Sequence, residues 1–116
     1  MEIIVNGDVS TTGFSWSYQI SHPKIGGKIY WLTTPAESVS GLTADDVMNG
    51  ASTLGEGCHG SESQVDENSH TVTVQCQLQP GGRYKLWITV DDDGNGLNKL
   101  LITPFGQELR VSGIFI

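Results

Sequence analysis

The chain has 116 residues, enough for one domain with a core of its own, and 37% of them are apolar. Thirteen acidic residues against six basic ones give a net charge of −7. That balance repels nucleic-acid phosphates and anionic membrane surfaces, and no apolar run approaches the ~20 residues of a bilayer span.

The opening, MEIIVNGDVS, has neither a basic start nor a long apolar stretch, so it does not read as a signal peptide. The chain is then either cytosolic or a piece of a larger exported protein. A first strand is expected over Glu2–Asn6. In GFSWSYQI, Phe14, Trp16, Tyr18 and Ile20 share one face while Ser15, Ser17 and Gln19 share the other, the period of a half-buried strand. KIYWLTT is apolar on both faces, as a central strand would be. LTADDVMNG interrupts the pattern with a short helix near residues 43–50. Thr43 is its N-cap, Asp46 stands three residues on, and Gly50 supplies the stop.

HTVTVQCQL alternates again, with Val72, Val74, Cys76 and Leu78 opposite Thr71, Thr73, Gln75 and Gln77. YKLWITV puts Tyr84, Leu86, Ile88 and Val90 on one face and Lys85, Trp87 and Thr89 on the other. A short strand near Lys99–Thr103 and a last one over Glu108–Ile116 complete the set. About seven short strands separated by turns, without repeat or linker, predict a single antiparallel β-sandwich over residues 1–116. The apolar ending, VSGIFI, reads as a final paired strand or as an edge offered to a further module or partner.

Cys58 and Cys76 are the two cysteines. An even count in a chain with 15 glycines and many Ser and Thr favours a disulfide and an oxidising compartment. With His59 and His70 they also offer two thiols and two imidazoles, but adjacent strand residues such as Cys58 and His59 point to opposite faces, a poor zinc arrangement. DDDGNG, from Asp91, matches the first half of a calcium loop through Asp91, Asp93 and Asn95. The second half fails: the ninth position is Lys99 and the twelfth is Ile102, where a glutamate is needed. A hairpin turn is therefore expected there, with a weak metal site on Asp91, Asp93 and Asn95 as the alternative. No G-x-S-x-G, H-E-x-x-H or phosphate-binding glycine loop is present, so neither an enzyme nor a cofactor is expected.

LQPGGRY, Leu78–Tyr84, carries a mechanical meaning. Pro80-Gly81 turns the chain, and the buried Tyr84 phenol must find a backbone partner in that turn, the device known as a tyrosine corner. LQPGGRYKLWITVDDDGN resembles the fibronectin type III pattern of Leu-x-Pro-Gly-x-x-Tyr followed by an alternating strand and an acidic Gly-Asn turn. FSWSY is similar to that family's second strand, whose Trp enters the core. KIYWLTTPAES and LTADDVMNG resemble a branch found in large secreted and surface proteins of bacteria and single-celled eukaryotes. The resemblance spans about Phe14 to Asn95.

What it implies is an immunoglobulin-like Greek-key sandwich serving as a non-catalytic structural or recognition module of a secreted or cell-surface assembly. Neighbouring domains or other proteins would be its partners. It also implies that Tyr30 and Leu32 point inward, leaving Trp31 to face out beside Trp87. Two such indoles would form a binding face for a sugar ring or a neighbouring domain unless a loop covers them. A carbohydrate-binding module using these aromatics, or a self-assembling structural subunit, are the alternatives.

Overall fold

A computed structural model of the chain describes residues 2–19, 27–36, 42–50, 57–64, 70–92, 99–103 and 105–112. Alternation builds its first hairpin. β1 (Glu2–Ser10) lies antiparallel to β2 (Gly13–Gln19), and Ile3 opposes Tyr18 while Val5 opposes Trp16. β5 (His70–Gln75) joins the far side of β2, setting Val72 against Trp16 and Val74 against Phe14. These strands form a three-stranded sheet whose apolar face is buried.

The second sheet runs β4 (His59–Ser63), β3 (Lys28–Pro35), β6 (Arg83–Asp91), β7 (Lys99–Leu101), with β8 (Gln107–Arg110) also on β6. All its pairings are antiparallel. The chain changes sheet between β2 and β3, between β4 and β5, and again between β5 and β6, so the architecture is a Greek-key sandwich. Trp16, Tyr18, Ile29, Val72, Leu86 and Ile88 fill the space between the layers. Each such side chain contributes about 1.5–3 kcal/mol on burial, so this core dominates the stability.

β4 was not expected. Its sequence, HGSES, has no apolar alternation, and its residues are exposed or half-buried. It is a strand because β3 offers it a full antiparallel register, Lys28 to Leu32 against Ser63 to His59. β1 runs on to Ser10 rather than stopping at Asn6. Its register shifts beyond Asn6, where Gly7 takes a φ of 61°, in the left-handed region that favours glycine. Past that irregularity Val9 forms a parallel bridge with Val111, and the Ser112 N–H donates to the Val9 carbonyl.

The closing segment expected over Glu108–Ile116 is β8, Gln107–Arg110, and residues 113–116 lie outside the described set. β7 and β8 are two pieces of one edge. The register along β6 jumps from Leu101 opposite Thr89 to Gln107 opposite Leu86. At the break Ile102 N–H donates to the Ile88 carbonyl at 2.8 Å, and Ile88 N–H donates to Thr103 Oγ1 at 2.9 Å, so a side-chain hydroxyl stands in for a strand carbonyl.

α1 (Ala44–Met48) follows the expected cap. Asp46 N–H donates to Thr43 Oγ1 at 3.2 Å, and Thr43 N–H donates to Asp46 Oδ2 at 3.0 Å. The Thr43 backbone bond first, and its hydroxyl second, hold the Asp46 carboxyl below its ordinary range. The stability this contributes is present above the ordinary carboxyl pKa and is lost as pH falls through the depressed one. Thr43→Ala should cost about 1 kcal/mol in urea titration at neutral pH. A change within error would show that the helix is held by packing alone.

Candidate functional site

The residues marked out by the sequence fall into a structural set and a surface set. In the structural set, the Tyr84 ring sits in the main core, and its hydroxyl accepts the Gln79 N–H at 2.9 Å. Gly81 takes φ 69°, completing the turn that Pro80 begins. Gly82, which the sequence reading passed over, is equally constrained. A Cβ there would lie 2.8 Å from the Tyr84 ring and 3.0 Å from the Gln79 carbonyl. Tyr84→Phe keeps the ring and strands the Gln79 N–H. It should destabilise by about 1–3 kcal/mol in denaturant melts, and no loss would mean that water satisfies this N–H.

Cys58 and Cys76 form a disulfide with Cα atoms 4.8 Å apart, both buried in the main core. Cys58 adjoins the start of β4 and Cys76 follows the end of β5, so the bond fastens one sheet to the other. It also removes both thiols from the zinc set. Of the imidazoles in that set, His59 lies against Gly50, and His70 pairs with Glu62 at 2.9 Å. Among the described residues, no three His, Cys, Asp or Glu side chains are grouped to hold a metal ion. Asp91 ends β6 and is fully buried on the Trp87–Thr89 face, while Asp92 accepts the Gln64 side-chain amide at 3.0 Å. Asp93 and Asn95, the other candidate calcium ligands, lie outside the described residues.

The aromatic face is not formed. Directly opposed residues share a face of a sheet, and β3 pairs with β6 so that Trp31 opposes Ile88 and Leu32 opposes Trp87. Ile88 points into the core, so Trp31 does too. Its ring meets Trp16 edge-on at 6.0 Å and lies over Gly60, where a Cβ would stand 2.5 Å from the indole. Trp87 does lie on the outer face of the five-stranded sheet, but it is only 1% exposed. Leu32 and Val47 of α1 bury it, with Tyr30, Leu42 and Leu101 packed around them. Its indole N–H donates to Thr34 Oγ1 at 2.9 Å, and the Lys85 ammonium stands 5.7 Å from its ring centre. The short helix is thus a lid over one tryptophan, and a neighbouring glycine makes room for the other inside.

A polar cluster escaped the sequence reading. Glu62 Oε1 accepts the Tyr18 hydroxyl at 3.2 Å beside its contact with His70 Nε2, and the Tyr18 and His70 rings lie 5.4 Å apart. The cluster joins β2 and β5 to β4 across the gap between the sheets. Nothing in the sequence marked it, because Glu62 belongs to the strand that hydrophobic periodicity did not reveal.

No protein-family model matches the chain, and no curated protein matches it.

Proposed function

We propose that this chain is a fibronectin type III-like module acting as a non-catalytic structural or recognition unit of a secreted or cell-surface assembly. The support is architectural. The sheet orders β1-β2-β5 and β4-β3-β6-β7, the Tyr84 corner and a core Trp on the second strand are what that resemblance implies. The buried disulfide supports an oxidising compartment. Among the described residues no helix is long and apolar enough to cross a membrane.

The observation that carries the reading is the placement of the first and last described strand residues. Glu2 pairs with Gln19 at one pole, whereas Val111 and Ser112 meet Val9 at the other. A unit whose outermost described strand residues reach opposite poles in this way suits stringing in series. Its partners are neighbouring domains or other proteins, and neither nucleic acid nor direct membrane insertion fits its charge. The test is the parent reading frame together with scattering from two copies fused head to tail. Expected are further sandwich domains on the flanks, and a particle whose long dimension is roughly twice the 47 Å of one copy. A frame with no flanking domain, or a fused pair that packs side by side, would overturn the module reading.

A further inference from the structure

Trp87 is covered and the half-buried Trp31 turns inward, whereas the other sheet exposes polar side chains. The outer face of β2 and β5 is a hydroxyl and amide array, flanked on β1 by Asn6 and by Ile4, which is 58% exposed. Ser15 opposes Thr73 and Ser17 opposes Thr71. Asn6 Nδ2 donates to Ser17 Oγ, which lies 3.0 Å from Thr71 Oγ1, so one row is already linked across all the strands of the sheet. At the end of this face an open trough of about 480 Å³ is walled by Thr12, Ser15, Thr73, Gln75 and Gln77. Gly13 lies on its floor because β2 and β5 approach too closely there for any side chain. A Cβ would fall 2.0 Å from the Val74 carbonyl oxygen, at a φ of 141°.

Two properties select the occupant. The described lining of the trough carries no charge, although the chain as a whole carries −7. Its hydroxyls and amides each donate and accept, as the groups of a polyol do, whereas a lining fixed as donor or acceptor would select an ion. The array also repeats, at roughly 4.8 Å from strand to strand and about 7 Å along each strand, so it suits an extended chain better than a compact molecule. We infer that this face binds a neutral polyhydroxylated chain, an uncharged oligosaccharide, seated along the Ser15–Thr73 row and in the Gly13 trough. The inference rests on the recognition side of the module reading and names its ligand class. Phe14, the aromatic residue of the described lining, is buried in the core and offers no ring for stacking, so the affinity should be weak, with Kd on the order of 1 mM.

The experiment is an amide NMR titration of the whole chain with neutral gluco-, manno- and chito-oligosaccharides, with polygalacturonate as the charged comparison. Expected are shift changes confined to residues 12–17 and 71–77, at least about tenfold weaker binding in Thr73→Val, and weaker binding of polygalacturonate. Thr73→Val keeps the β-branched shape and removes only the hydroxyl, and its amide spectrum reports whether it folds. Silence across the panel, shifts elsewhere, binding unaffected by Thr73→Val, or preference for the polyanion would each overturn the assignment. So would shifts of the same amides on concentrating the protein without sugar, which would assign the face to a second copy. None of these outcomes touches the flanking-domain test, so the two readings fail separately.

Discussion

Trp87→Ala should be among the most damaging single substitutions in the chain, lowering stability by about 3–5 kcal/mol. The estimate combines two losses. Removing the indole opens a cavity beneath α1 between Leu32, Val47 and Leu101, and it also leaves the buried Thr34 hydroxyl without its donor. Against a total of roughly 5–15 kcal/mol for a domain, this approaches unfolding. Trp87→Phe separates the losses in part, because it keeps one aromatic ring and a smaller cavity while forfeiting the N–H, at an expected ~1–3 kcal/mol. Denaturant titration gives both values, and amide exchange on α1 should accelerate in the alanine variant because the helix loses what it packs on. An exposed binding aromatic would behave otherwise, with a change within about 0.5 kcal/mol. A result that small would refute the buried, helix-covered Trp87.

Opening the Cys58–Cys76 bridge is the second large effect. Closing a loop with a sequence separation of 18 is worth about 3 kcal/mol in the chain-entropy model. For a domain of this size each kcal/mol moves Tm by about 4–8 °C, so the Cys58→Ala/Cys76→Ala double variant should melt on the order of 10–20 °C lower. The loss should be largest around β4, which has little apolar burial of its own and is tied to the other sheet by this bond and by the Glu62 cluster. The oxidised wild type and a sample reduced after unfolding give the comparison by calorimetry. Equal midpoints would mean that the core alone sets the stability, and that the bond adds no constraint on the unfolded chain.

The sequence disclosed those elements whose packing leaves a period-two trace. β2 and β5 set alternate apolar residues into the core and read plainly, as does the Tyr84, Leu86, Ile88 face of β6, although Trp87, Thr89 and Asp91 are buried on its other face too. The Thr43–Asp46 cap marked α1 because capping is local chemistry. The Tyr84 corner was legible for a similar reason: a phenol bound for the core needs a partner, and the preceding turn provides one. β4 was hidden because its stability comes from β3 and not from its own side chains. The face of Trp31 was hidden for a different reason. β3 is apolar on both sides, so alternation there has no polar half to give direction, and only the register with β6 decides which residues turn inward. That register depends on contacts distant along the chain. The resemblance supplied the opposite orientation, and Gly60, whose bare backbone receives the Trp31 ring, lay in the strand that had gone unseen. The hydroxyl array was visible as the polar half of two strands, but its trough depends on how closely β2 and β5 approach at Gly13.

The parallel contact between Val9 and Val111 gives the fold a mechanical character. Tension applied at the two poles would slide β1 and the segment after β8 past each other lengthwise, loading the Val9–Ser112 bond and the β1–β2 ladder together rather than unzipping them in turn. Once that clamp yields, the span between the joined cysteines stays shielded from the pull. The released contour is then shorter than the whole chain would give by roughly 3.3–3.6 Å for each residue locked inside the ring.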